Sequence, residues 1–255
     1  FLVFLCTSQT MAAEIPAAIE ACMRANLPQT TSTQSIELRA RDRSKFEQVM
    51  QADIYLKRSD ELNSRVMMYF TEPVDVRGAR FLIVQQAQQN EMYIYMPGLF
   101  KVRRITSKKV SSSVLGTDFS YEDFERLYSV LSDLRAKQLP DGVVAGRPVH
   151  VLESYPDASS GYEKIATYID KESCIALKTE LYEKGKRLRK QMTIDPENLR
   201  RINGLWYPAE LLMKDVRDKT ETRLIVRDIN VGIELDDELF DQTRLKDARI
   251  PDKKQ

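Results

Sequence analysis

The chain has 255 residues, with 39 lysines and arginines against 38 aspartates and glutamates, a formal charge of +1. That balance excludes a dedicated nucleic-acid binder, which needs a basic excess on at least one face. The 9 glycines form no GxGxxG, GxxxxGK or GxSxG, and His150 is the one histidine, so the dinucleotide fingerprint, the phosphate loop, the hydrolase elbow and multi-histidine metal sites are excluded as well.

Residues 1–6 are an apolar run without charge, and Thr10 and Ala12 place small side chains before a cut after Ala12. Residues 1–13 are read as the remnant of a secretory signal peptide, cleaved near Ala12 or Ala13. The start at Phe1 with no basic segment points to truncation upstream. The run is too short to span a bilayer, which takes about 20 apolar residues. Bulky Leu5 argues against lipid attachment at Cys6. An exported chain then retains Cys22 and Cys174, which form either one disulfide or two separate buried thiols. Two cysteines are too few for a structural zinc site, and no cofactor is expected.

Residues 14–26 carry a helical stripe of Ile15, Ala18, Ile19, Cys22 and Ala25, with Pro16 in the first turn and Pro28 as the stop. Short alternating segments follow at 35–41, 46–57, 65–71, 79–86, 91–96 and 100–105, each predicting a strand with one apolar and one charged face. Two helical pieces are predicted next, at 106–115 and at 120–132. In the second, Ser120 caps the start, Glu122 and Asp123 suit the first turn, and Phe124, Leu127 and Leu131 form the apolar stripe. Strands resume near 147–154, 161–169, 175–181, 187–194, 205–214 and 220–230. Turn pairs such as Asp141-Gly142, Ala145-Gly146, Lys184-Gly185 and Asn203-Gly204 separate them. DDELF at 236–240 gives one short turn anchored by Phe240. Residues 14–250 thus form a single domain, mainly β, of roughly eleven antiparallel strands with short helices over the apolar face, and 251–255 form a flexible tail.

Methionines and aromatics crowd the apolar faces: Met50, Met67, Met68, Phe70, Met92, Met96, Phe119 and Phe124. Methionine adapts to varied apolar shapes, so these residues suit either a solid core or a cavity for flexible chains. The pattern alone does not separate the two. His150 is read as a strand histidine in a polar network rather than a catalyst, because no nucleophile motif accompanies it. Asp118, Glu122 and Asp123 are read as caps rather than acid–base catalysts, and Trp206 as core. Lys101, Arg103, Arg104, Lys108 and Lys109 form a basic cluster that fits either lipid head groups and an acidic partner or an ordinary outward strand face.

Several segments resemble the outer-membrane lipoprotein-sorting protein family, in the LolA-like branch associated with RND-type exporters. They are RGARFLIVQQAQQNEMYIYMPGLFKVRRI at 77–105, SSSVLGTDFSYEDF at 111–124, TYIDKESCIALKTELYEKGKRL at 167–188, INGLWYPAELLM at 202–213 and DINVGIELDDELF at 228–240. GTDFSYEDF is the most specific. The resemblance implies a half-open, strongly curved antiparallel β-barrel with helical lids. It implies a non-enzymatic periplasmic carrier that holds acyl chains of lipoproteins or lipids in a hydrophobic cavity. The expected lining is Met50, Ile54, Met68, Phe70, Ile83, Ile94, Met96, Leu115, Phe119, Phe124, Leu127 and Leu131. The expected docking site, for an RND-type inner-membrane exporter or a transient membrane contact, is the basic cluster at 101–109. The same barrel also serves as a periplasmic sensor or adaptor for lipid or misfolded envelope protein, which is the alternative function.

Overall fold

The structure, a computed structural model, describes residues 15–27, 30–60, 62–86, 90–128 and 136–251. The expected signal-peptide remnant at 1–13, the expected lining residue Leu131 and residues 252–255 of the expected tail lie outside the described residues.

Helix α1 (Ala17–Ala25) precedes six strands: β1 (Thr31–Arg41), β2 (Glu47–Arg58), β3 (Ser64–Glu72), β4 (Arg80–Gln85), β5 (Glu91–Met96) and β6 (Lys101–Arg104). Helix α2 (Tyr121–Tyr128) follows. Then come β7 (Ala136–Val144), β8 (Arg147–Ser154), β9 (Lys164–Asp170), β10 (Ala176–Glu183), β11 (Arg187–Thr193), β12 (Leu199–Ile202), β13 (Leu205–Pro208), β14 (Glu210–Asp215) and β15 (Thr220–Val231). Thirteen strands make one antiparallel sheet in the order β6-β5-β4-β3-β2-β1-β15-β14-β11-β10-β9-β8-β7, and β12 pairs with β13 in a separate ribbon. The end strands β6 and β7 do not meet, so the curved sheet is not closed into a barrel.

The described residues thus hold fifteen strands, where roughly eleven were expected. Asp141-Gly142, expected as a turn, is a register shift inside β7. Such a bulge takes an extra residue without ending the pairing. The expected strand 205–214 divides at Pro208, whose missing N–H ends ladder pairing: β13 joins the ribbon and β14 the main sheet. Residues 106–115 are turns, not a helix; Val114 N–H donates to the Phe119 carbonyl and Ser113 bridges to Ser120. Ile15, just before α1, and Ile19 within it are buried on Ala136, Leu152 and Ile169, while Ala18 and Ala25 are exposed. Cys22 of α1 is bonded to Cys174 in the β9–β10 turn, with Cα atoms 5.3 Å apart.

Strands β2 to β4 depart from one-sided patterning. Their concave side chains Met50, Ile54, Met68, Phe81 and Ile83 pack beneath α2. Their convex side chains Tyr55, Met67 and Leu82 are buried under the returning C-terminal segment through Leu235, Leu239, Phe240 and Leu245. Phe240 sits in a 3-10 turn at Asp237–Phe240 and anchors that segment. A strand covered on both sides reads as a continuous apolar run, as MMYF and FLIV do.

Candidate functional site

The segment GTDFSYEDF places α2 across the concave face. Ser120 N–H donates to Asp123 Oδ2 at 2.8 Å, and Asp123 N–H to Ser120 Oγ at 3.3 Å, a reciprocal cap of the helix start. Asp123 is also held by Lys190 Nζ of β11 at 2.8 Å and by the Tyr162 hydroxyl at 2.8 Å. Glu122 accepts from Ser160 Oγ at 2.7 Å and Gly161 N–H at 3.0 Å. A Cβ on Gly161 would stand 2.7 Å from Glu122 Oε1 and from Ser111 Cβ, so this approach requires glycine. Asp118 N–H donates to Thr222 Oγ1, and the Thr220 and Thr222 hydroxyls donate to its carboxylate. Burial pushes the Asp118 and Glu122 carboxyls above their usual range, against these hydroxyl donors. Asp123 is thus a cap, as expected, whereas Glu122 ties the first turn of α2 to residues 160–161 and Asp118 ties the preceding segment to β15.

With the helix fixed, Phe119 and Phe124 stack at 5.0 Å between ring centres and Phe81 meets Phe124 at 6.5 Å. They fill the concave space over β2 to β5. Met50, Ile54, Met68, Phe70, Ile83, Ile94, Phe119 and Phe124 are all buried in this solid core, and Met96 and Leu115 pack against it. None of these ten lines the apolar cavity found over the other half of the sheet. Leu127, on the α2 turn beyond the plug, does line it.

That cavity, of about 350 Å³, lies over the other half of the sheet. Its floor is the concave face of β8 to β11, β14 and β15, with Leu152, Ile165, Leu181, Met192, Met213 and Leu224. Its walls are Met23 and Leu27 of the α1 segment, Leu127 and Tyr128 of α2, and Trp206 and Tyr207 of β13. The volume falls at the low end of small-molecule pockets, about 300–1,000 Å³. Thr167 and Thr179 stand on the floor where a packed core would carry larger side chains. Those two threonines are the signal that could have located the cavity from sequence. Trp206, expected in the core, is half-buried in the wall, with Arg201 over its ring at 5.7 Å and its backbone N–H donating to Asn26 Oδ1. Buried Arg58 also lines the cavity, and its Nη2 donates to the Tyr128 carbonyl at the α2 C-terminus at 3.4 Å. A cation there complements the helix dipole.

Lys101, Arg103 and Arg104 lie on β6, the free edge of the sheet, and Lys108 and Lys109 in the turn after it; all five are exposed. Arg104 pairs with Glu91 at 2.7 Å. His150 of β8 is not among the cavity residues; its Nδ1 lies 3.0 Å from Asp141 Oδ1, and Lys171 joins the same carboxylate.

A family model described as "Uncharacterized protein" matches residues 62–247. Solved structures extend the comparison. An outer membrane lipoprotein-sorting protein domain from Vibrio parahaemolyticus aligns with a TM-score of 0.81 and 25% identity, covering 89% of this chain and 97% of that one. The chain belongs to the family of that model and has the fold of the lipoprotein-sorting protein domain. A DUF1329 family protein from Desulfovibrio piger shares this LolA-like fold with a TM-score of 0.81 and 21% identity over 89% of this chain and 96% of its own. A LolA superfamily protein from Nitrosomonas europaea aligns with a TM-score of 0.69 and 19% identity, covering 90% and 98%. No protein of curated function matches the chain.

Proposed function

We propose that this LolA-like protein is a non-enzymatic periplasmic carrier that holds an acyl chain of a lipoprotein or lipid in the cavity and passes it on. The observation that carries the reading is the apolar space of about 350 Å³ between α1, α2 and the floor of β8 to β11, β14 and β15. A methylene moved from water into such a space gains about 0.8 kcal/mol. The floor is rigid sheet. Of the walls, α1 is held by its disulfide and α2 by the polar network at its start, while the α2 end meets the sheet through the Arg58 contact. Loading and release therefore need movement only at the end of α2. The disulfide supports an oxidising compartment outside the inner membrane. An RND-type exporter is the proposed delivering or receiving partner.

The test is titration with a fluorescent fatty-acid or phospholipid probe. Thr179→Trp should fill the floor, and Leu127→Glu should place a charge in the wall. Each is expected to weaken probe binding at least about 10-fold, or 1.4 kcal/mol, with the melting curve retained. Equal binding by wild type and both variants would contradict a cavity site. Phe124→Glu is a poor test, because Phe124 is in the solid core and its loss would unfold the protein.

A further inference from the structure

The antiparallel order places the β5–β6, β3–β4, β1–β2, β14–β15 and β10–β11 hairpins side by side along one end of the sheet. Large apolar side chains stand exposed at four of these tips. Phe100 is 80% and Leu99 52% exposed at the first, Val74 73% at the second, Phe46 68% at the third and Val216 48% at the fourth. Exposed lysines sit among them: Lys101 beside Phe100, Lys45 beside Phe46, Lys219 near Val216, and Lys184 and Lys186 at the fifth tip.

The charges are unequally committed. None of these five lysines forms an ion pair among the described residues. The carboxylates of the same hairpins are largely used locally. Asp42 accepts from the Ser44 and Phe46 N–H groups, and Glu72 pairs with Arg77. Glu183 pairs with Arg187 and Arg217, and Asp218 with Arg43, Arg189 and Arg217. Asp75 is the exposed acid that remains. At the opposite end of the sheet, Leu62 and Val143 are the exposed large apolar residues among the described ones.

We infer that this rim of hairpin tips docks on the surface of an anionic phospholipid bilayer. Adjacent hairpins recur about every 10 Å, two strand spacings, so the tips form a spaced row rather than one continuous patch. A protein partner would need a matching pocket for each tip. A bilayer interface accepts each apolar side chain separately and draws the lysines to its phosphates. The rim also extends the basic edge at Lys101 and Arg103 along most of the sheet. The inference stands on the rim alone and is independent of what fills the cavity.

The experiment is co-sedimentation of the mature chain with phosphatidylethanolamine–phosphatidylglycerol vesicles and with pure phosphatidylcholine vesicles. Binding to the anionic vesicles should exceed binding to phosphatidylcholine at least about 10-fold and should fall as salt rises. The triple variant Lys45→Glu, Lys101→Glu, Lys219→Glu should erase that preference. The double variant Phe46→Ser, Phe100→Ser should weaken binding several-fold. Because all five positions are exposed, melting and acyl-probe binding should stay at wild-type levels, which separates this inference from the carrier reading. Equal binding to the two vesicle types, wild-type binding by both variants, or no vesicle binding at all would overturn it; the last would leave the rim to a protein partner.

Discussion

Buried carboxylates set the response of this protein to pH. Burial raises Asp118 and Glu122, so the folded chain holds their protons more tightly than the unfolded chain. Their contribution is full below the ordinary carboxylate range and is lost as pH rises through the raised values. Asp170 and Asp218 act in the opposite sense. Burial of Asp170 is outweighed by the Arg147 guanidinium and the Ser173 hydroxyl and N–H. Hydrogen bonds from Arg189 and then Arg217 lower Asp218 to about 2. The stability they give is present above the ordinary carboxylate value and is lost as pH falls through the lowered ones. Thermal melting should therefore peak in mildly acidic buffer, decline modestly toward pH 7 and fall steeply below about pH 4. Asp118→Asn should flatten the decline on the neutral side. A melting temperature that does not change between about pH 5 and 7 in either protein would contradict this assignment.

At the scale of elements, α2 matters most, because it decides which half of the concave face is solid. Its start was legible: Ser120 followed by Asp123 is a cap signature, and Phe124 marks the buried stripe. What was not legible was the depth at which it sits. The sequence pattern assigns apolar faces to strands, but it does not reveal that Phe119 and Phe124 fill the space over Met50, Met68 and Phe81. That depends on a partner distant in sequence, Lys190 of β11, which is 7% exposed and pairs with Asp123. A buried pair contributes little net stability, but removing one partner leaves an uncompensated charge. Lys190→Met should therefore cost about 3–5 kcal/mol in urea unfolding. The companion Asp123→Asn, Lys190→Met should recover part of that loss. A single variant that unfolds like wild type would show that α2 is held by its aromatic residues alone. The missed strands have local causes as well. Gly142 signals a turn until its neighbours pair around it, and LRRI at 199–202 alternates too briefly to stand out.

Across the whole molecule, the mainly antiparallel sheet and the covering helices were readable because alternation with period two runs through most strands. The two-sided burial of β3 and β4 was visible as MMYF and FLIV but acquired meaning only once the C-terminal segment, through Phe240 and Leu245, was seen on the convex face. The cavity was misplaced for the same reason. Residues 165, 167, 169, 179 and 181 showed the correct alternation, and only the small Thr167 and Thr179 among them distinguish strands under empty space from strands under a plug. The result is a divided concave face: one half is packed by α2, and the other encloses about 350 Å³ between the sheet, α1 and the β12–β13 ribbon. Acyl-chain carriage by that second half is tested most directly by native mass spectrometry of the protein purified from its own host. Wild type should carry a lipid-sized adduct, and Thr179→Trp should run at the mass of the bare chain. A wild-type protein that is always bare, or an adduct retained in full by Thr179→Trp, would contradict it.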